Sequence, residues 1–357
     1  MSGQLHCFRA EPADRDRWDA FVAARAEADF LQSWAWGEVT AEAGERPIRW
    51  IATAAEEVRG LAQVLVRPAG FGRSILYAPH GPVWHREAPD ANRVLGQLID
   101  ALHGAARAVG GIVVKLDPRA EPGAANGERI ALALEARGLR RALHDLQAPT
   151  TRLVDLLDGS EELRRTWDKD ARNLVRRARR EGVSTSVDRV GASTEIAAFH
   201  ELLASTGERA EFRVRSRASL ERLAAELRPS GGWYLALASF EGRPIAGMLT
   251  PRVGDRAYYL YGASLREPEL KHKNGSYAAM AAATEALAAD GVRTLDLWGV
   301  VEPDDPTADP EWEGFSAFKR QFGGVPVRHP GTFDLVTSPL WYGIRDTRER
   351  LRERLGR

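Results

Sequence analysis

WYLALASFEGRPIAGMLTPRVGDRAYYLYGA, residues 233–263, decides the fold. Trp233 to Phe240 is rich in apolar and β-favouring residues, and Glu241-Gly242-Arg243 interrupts it with turn chemistry. Ile245 to Val253 makes a second such run, Gly254-Asp255 a second tight turn, and Arg256 to Ala263 a third strand. Beyond them Ser276 to Ala289 is Ala-rich, which favours a helix, and Gly291 closes it before a strand from Val292 to Trp298. The order is three strands joined by short turns, a helix, and a further strand.

The first half repeats that order. Arg49 to Thr53, Leu61 to Val66 and Ser74 to Ala78 read as strands, with a turn at Glu56 to Gly60. Ala91 to Val109 reads as a helix because Val94, Leu98, Ala101, Leu102 and Ala105 recur at three- and four-residue steps; Gly110-Gly111 stops it before a strand from Ile112 to Leu116. Residue identities mostly differ between the copies, so the repeat lies in the ordering. That ordering is the central part of the GNAT-type acyltransferase fold. The expected class is α+β: two tandem GNAT-like domains, each a mixed, mainly antiparallel sheet flanked by helices. Gln147-Ala148-Pro149-Thr150 is the natural boundary. We expect residues 1–149 with 338–357 in one domain and 150–337 in the other. The last helix, Tyr342 to Leu355, carries Ile344, Leu351 and Leu355 on one side and is expected to pack that side onto a domain.

The 357 residues suffice for two domains, each with its own core, and the formal net charge is zero, so no global basic field announces a nucleic-acid binder. The single Cys7 excludes an internal disulfide framework, and the N-terminus with Arg9, Glu11 and Asp14 lacks a secretory apolar core; a cytoplasmic location is expected. No apolar run approaches the roughly 20 residues of a spanning helix, which leaves only peripheral contact with the inner membrane surface. Gly-x-Ser-x-Gly, Gly-x-x-x-x-Gly-Lys and paired cysteines are absent and the histidines are scattered, which argues against a serine hydrolase, an NTPase or a metal enzyme. A CoA-dependent GNAT enzyme needs a glycine-rich pyrophosphate loop before its central helix. His272-Lys273-Asn274-Gly275-Ser276-Tyr277 puts Tyr277 where a tiny residue is needed, and Pro79 and Pro82 remove donors in the first copy. No CoA and no metal are expected.

Glu161 to Glu181 reads as one helix with Leu163, Trp167, Ala171, Leu174, Val175 and Ala178 on its apolar face, an Asp158/Glu161 capping box and Gly182 at its end. Its other face carries Arg165, Lys169, Arg172, Arg176, Arg179 and Arg180. Such a stripe suits a tRNA phosphate backbone or an anionic membrane; a solvated face paired with Asp168, Asp170 and Glu181 is the plain alternative.

Five segments, taken in order, resemble the Fem family of peptidoglycan bridge aminoacyltransferases. They are Phe30 to Val39 (FLQSWAWGEV), Ala78 to Val83, Lys115 to Pro118, Tyr259 to Ser264, and Gly314 to Gly324 (GFSAFKRQFGG). The resemblance spans almost the whole chain and implies a tandem GNAT-type enzyme. Its donor would be aminoacyl-tRNA, and its acceptor the peptide amine of a lipid-linked or nucleotide-linked muropeptide precursor. The first domain would face the precursor and the second the aminoacyl end. Thr40 stands where the family often has a Lys, and Pro79-His80-Gly81-Pro82 where it often has Pro-Arg-Gly-Pro. The chain also resembles the members without a long helical arm.

By the same resemblance Lys319 is the donor to the tetrahedral oxyanion; Phe318 packs on the aminoacyl end or the tRNA terminus, and Asp117, at a strand end beside Pro118, orients the incoming amine. Tyr259 and Tyr261 alternate onto one strand face and are candidates for substrate contact, as are Arg213, Arg209, Trp36 and Trp298. Core packing or solvated surface charge is the plainer role for each. Two other readings stay open: a Fem-like N-acyltransferase with a non-wall acceptor, and a non-catalytic RNA- or membrane-binding protein on the same fold. The amino acid transferred is set by pocket shape, which spacing does not report.

Overall fold

The computed structural model describes residues 4–123, 126–156, 160–209, 214–270, 272–303 and 310–354. Two compact units emerge, Met1–Pro149 with Arg328–Arg357, and Thr150–Val327. The first holds β1 (Leu5–Arg9), α1 (Arg15–Ala24), α2 (Trp34–Glu42), β2 (Arg46–Ala54), β3 (Glu57–Gly70), β4 (Arg73–Ala78), β5 (Val83–Trp84), α3 (Ala91–Ala108), β6 (Gly111–Leu116), α4 (Asn126–Glu135) and β7 (Arg140–Arg141). The second begins with β8 (Thr150–Asp155), α5 (Ser160–Thr166), α6 (Lys169–Arg180), β9 (Val183–Asp188), α7 (Ser193–Arg209), α8 (Arg217–Leu227), β10 (Leu235–Phe240) and β11 (Arg243–Leu249). It continues with β12 (Arg252–Val253), β13 (Arg256–Tyr258), β14 (Tyr261–Ser264), α9 (Gly275–Ala289), β15 (Thr294–Gly299), α10 (Glu313–Arg320) and β16 (Val325–Arg328). Then β17 (Phe333–Val336) and α11 (Pro339–Arg354) return to the first unit.

In the first unit one sheet runs β1-β2-β3-β4-β6-β17-β7, with β5 on β3. Among the described residues its one parallel pair is β4 with β6, joined through α3. The second unit holds two sheets, β14-β11-β10-β9 and β12-β13-β15-β8-β16, with β13 parallel to β15 across α9. Each unit is therefore a hairpin meander followed by a crossover helix and a parallel strand, the tandem α+β arrangement expected.

The strand expected from Arg256 to Ala263 is two, β13 and β14, in different sheets. Three further details depart from the sequence reading. First, β17, expected in the second domain, pairs with β6 and β7. Every residue of β6 is buried, and such a strand needs ladder partners on both sides. Second, the helix expected from Glu161 to Glu181 is two helices, broken at Trp167-Asp168. Trp167 is buried edge-on to Phe322 at 5.1 Å, and the Asp168 amide donates to the Gln321 carbonyl at 2.8 Å instead of continuing the helical ladder. Arg165 is thus on α5, apart from the rest of the stripe, while Asp158 lies outside the described residues. Third, Ile344 and Leu351 do not pack back: both are exposed. The inward side of α11 carries Tyr342, whose hydroxyl donates to Asp334 at 2.9 Å; Leu355 lies outside the described residues.

The FLQSWAWGEV segment owes its composition to one buried polar network. Gln32 accepts the Gln63 amide at 2.8 Å and donates to the Pro79 carbonyl at 2.8 Å; Gln63 in turn donates to the Leu31 and Ser33 carbonyls. The Arg49 guanidinium lies 3.8 Å from the centre of the Trp34 ring and reaches Gln63 at 2.7 Å and Glu38 at 3.0 Å. Gly37 leaves room for it: a Cβ there would stand 2.1 Å from Arg49 Nη2. Gly37→Ala is therefore expected to displace a buried cation from its acceptors and to lower the unfolding free energy by about 2–3 kcal/mol in urea titration.

Candidate functional site

The site of the second unit is made where its sheet parts. The Tyr259 amide donates to the Asp296 carbonyl on β15 at 2.8 Å, and the next amide, Leu260, donates to Leu249 on β11 at 3.1 Å. Past this point β14 follows β11, whereas β15 keeps only β8, with a register shift between Asp296 and Gly299. Trp298 sits in that bulge at φ 58°, a left-handed conformation unusual for a bulky side chain. Side chains satisfy the backbone that the bulge exposes. The Trp298 amide donates to the Asp296 carboxylate at 2.7 Å, the single Thr151 hydroxyl proton is shared between Asp296 and, at 3.1 Å, the Trp298 carbonyl, and Lys319 Nζ donates to the Gly299 carbonyl at 3.0 Å.

Lys319 projects from the last turn of α10, which is fixed against the chain after β15. Ser316 Oγ accepts the Val301 amide at 3.0 Å, and Arg320 donates to the Val301 carbonyl. Arg152 holds the following turn, reaching the Gly324 carbonyl at 2.8 Å and Glu302 at 2.8 Å. The Lys319 ammonium is buried, 4.6 Å from the Tyr259 ring centre and 5.0 Å from that of Phe315. Burial brings its pKa down to about 7, opposed by the charge of Asp296. Burial also pushes the Tyr259 phenol up to about 12, so it stays protonated. Gly262 permits this placement of Tyr259, since a Cβ at 262 would meet the phenol oxygen at 1.7 Å. An amine poised near neutrality, an aromatic wall and a protonated phenol can stabilise charge developing on a carbonyl oxygen and can exchange a proton.

Beside them opens a cavity of about 650 Å³ lined by β11, β14, the start of α9 and one face of α10. Phe318 lines it, edge-on to Tyr277 at 5.0 Å and to Phe322 at 5.4 Å. Tyr277 turns into this cluster and bonds Gln321 at 3.1 Å, so its ring lies against α10 and not over the first amides of α9 as the sequence suggested. Asn274, Gly275 and Ser276 stay at the cavity edge with Arg209 and Arg266. The Arg209 pKa is lowered by burial and by the neighbouring Arg266 charge, which marks two cations crowded at one mouth. Helix-terminal amides with two guanidiniums suit a phosphate, whether carried by CoA or by the 3′ end of an RNA.

Of the residues singled out in the sequence, Phe318, Tyr259 and Arg209 line this cavity, with Lys319 behind Tyr259. Tyr261 accepts from Arg215 at 2.8 Å one residue beyond the sheet parting, and Trp298 forms the bulge edge-on to Tyr258. Arg213 lies outside the described residues. Lys169, Arg176, Arg179 and Arg180 are exposed on α6, with Arg172 half-buried; Arg165 pairs with Glu161 at 3.0 Å. Asp117 and Trp36 belong to the first unit. Trp36 is buried against Phe30 at 5.1 Å. Asp117 is buried at the end of β6, where burial raises its pKa to about 7, and it accepts from Tyr77 at 2.7 Å and from the His80 amide at 2.6 Å. Around it Asp29 pairs with His80 and, at 3.2 Å, with Arg119. Sequence reasoning missed Asp296 and Arg266. The lone acid inside the apolar strand Leu295-Asp296-Leu297 was the available signal for the first; the second had none.

The acetyltransferase (GNAT) domain family matches residues 165–313. The crystal structure of FemX superposes with a TM-score of 0.81 at 20% identity, covering 95% of this chain and 99% of that one. A tandem GNAT protein from the clavulanic acid biosynthesis pathway gives 0.58 at 13% identity, covering 94% and 99%. The lipid II:glycine glycyltransferase of Staphylococcus aureus is 25% identical over 409 aligned positions, 93% of this chain and 94% of its own. Fold and homology thus define an acyltransferase built of two GNAT-type units. More particularly, the chain is a homologue of that glycyltransferase along nearly its whole length, and the likeness to the Fem family read from its motifs extends equally far.

The Lys319 pKa carries a consequence for stability. Between about 7 and the ordinary 10.5, the unfolded chain binds a proton that the folded chain does not, so stability due to this residue rises with pH across that window. Wild type is expected to gain stability relative to Lys319→Met as pH rises from 7 to 10. Urea titrations across the window should show it; a difference flat in pH would contradict the buried, near-neutral amine.

Proposed function

We propose that this chain moves an aminoacyl group from aminoacyl-tRNA to a peptide amine of a lipid-linked peptidoglycan precursor, on the cytoplasmic side of the membrane. The observation that carries the reading is the buried Lys319 amine directly behind the cavity wall, one proton committed to Gly299 and the nitrogen set between Tyr259 and Phe315, which line the cavity. The lipid-linked acceptor is supported by homology to an enzyme named for lipid II. The tRNA is supported by the phosphate-suited mouth at Arg209 and Arg266 and by the cations of α6.

In this mechanism the neutral acceptor amine attacks the ester carbonyl, a C–N bond forms, and negative charge moves to the carbonyl oxygen. The Lys319 ammonium donates to that oxygen. As the intermediate collapses, the C–O bond to the ribose breaks, the proton that the new amide nitrogen sheds passes to Lys319 as Lys319 gives up its own, and the ribose oxygen leaves with a proton. A lysine with a pKa near 7 is suited to supply that proton. Phe318 and Tyr277, backed by the buried Phe322, form an apolar wall that limits competing hydrolysis of the ester. If CoA entered instead, the same α9 terminus would hold its phosphates and it would supply an acyl thioester.

Transfer of radiolabel from a mixed pool of charged tRNAs to lipid-linked and nucleotide-linked muropeptides, beside an acetyl-CoA arm, tests the reading. Label on the lipid-linked precursor only with charged tRNA is expected; label only from acetyl-CoA would sink it. Lys319→Met should lower kcat by ~10²–10³, the range for one oxyanion donor. Replacing Arg172, Arg176 and Arg179 by Gln should raise the KM for charged tRNA and flatten its salt dependence by about one unit of slope per arginine.

A further inference from the structure

A surface helix normally buries its apolar stripe and shows its polar side to water. α11 does the reverse. Tyr342, Arg345, Asp346 and Glu349 turn inward onto a cavity of about 140 Å³ beside Lys115 and Asp334, which are themselves paired at 2.7 Å. Leu340, Ile344 and Leu351, spaced to fall on one stripe, are 73%, 53% and 55% exposed. Leaving such a stripe in water forgoes the burial that ordinarily holds a surface helix in place.

A second exposed apolar group adjoins it. The turn between β3 and β4 is Gly70-Phe71-Gly72, all three at positive φ, and it leaves Phe71 92% exposed. The Phe71 ring stacks on Trp341 of α11 at 6.3 Å and 27°, and the Arg73 guanidinium lies 5.1 Å from the same indole. Arg348 and Arg350 are exposed beside the aliphatic stripe, Arg350 also pairing with Asp346 at 2.9 Å. An indole and a phenyl at one edge, aliphatic side chains along the crest and guanidiniums on the flanks make the composition of a helix that lies in a lipid interface.

We propose that this face of the first unit, the α11 crest with the Phe71 turn, rests on an anionic phospholipid surface. The guanidiniums meet lipid phosphates while Phe71, Leu340 and Ile344 enter the boundary between headgroups and acyl chains. The charge on its flanks favours an anionic bilayer over an uncharged protein groove. This deepens the function proposed above, and rests on it only for the use made of the contact: an acceptor carried by a lipid is met at the membrane.

The test is flotation of the full chain with vesicles of phosphatidylglycerol and phosphatidylcholine against vesicles of phosphatidylcholine alone. Wild type should float with the anionic vesicles, less so as salt rises, and the triple variant Phe71→Ser/Leu340→Ser/Ile344→Ser should bind at least about tenfold more weakly at unchanged melting temperature. The three side chains are exposed, so the variant is expected to fold. Wild type that stays unbound, or a triple variant that floats as well as wild type, would overturn the proposal. So would a wild-type dimer that the variant converts to monomer, since the face would then bind a second copy. Flotation needs no turnover, so failure of aminoacyl transfer leaves this proposal standing, and loss of flotation leaves transfer to a nucleotide-linked precursor intact.

Discussion

The second unit is organised by the requirement that buried backbone groups find partners. In a continuous sheet the ladder supplies them. Here β15 leaves its parallel partner at Asp296, and the bulge that follows turns peptide groups away from any neighbouring strand. Three side chains restore the missing bonds: Asp296 takes the Trp298 amide, Thr151 reaches the Trp298 carbonyl, and Lys319 reaches the Gly299 carbonyl. The parting of β14 from β15 therefore calls a carboxylate, a hydroxyl and an amine to the same spot.

The first unit shows what the same topology does without parting. There β4 and β6 stay paired from Ser74 with Gly111 to Ala78 with Leu116. The acid that follows, Asp117, is absorbed by Tyr77 and the His80 amide, and the neighbouring Asp29 by His80 and Arg119. The Gln32–Gln63–Arg49 network likewise holds the FLQSWAWGEV segment. The two halves share an ordering of elements, and the difference between them lies in whether the parallel pair remains closed at its end.

Much of this was legible in the chain. The meander, the crossover helix and the closing strand follow from turn residues and apolar periodicity, both local signals, and both helices ended within a residue or two of where their glycines put them. Tertiary demands were not legible. Nothing local breaks the helix at Trp167-Asp168; the break follows from Trp167 meeting Phe322 and from the Gln321 carbonyl, both more than 150 positions away. β17 was assigned to the wrong side of the boundary because its partner, β6, is distant in sequence. Lys319 was picked out only through its resemblance to a motif, since a lysine before an arginine on a short helix otherwise reads as surface charge. α11 misled because its periodicity is real while its orientation is not set by periodicity at all.

Whether Lys319 is merely a backbone repair can be argued from cost. One hydrogen bond to Gly299 would be made equally well by a neutral amide, without removing a charge from water. Burying an ammonium is expensive unless it is closely paired, and its lowered pKa records that expense. Asp296 offsets part of it but is already engaged by Thr151 and by the Trp298 amide. A residue that costs stability where a cheaper one would satisfy the backbone is more economically explained by chemistry than by packing. It stands against Tyr259 and Phe315, both of which line the cavity, so the amine lies directly behind that wall.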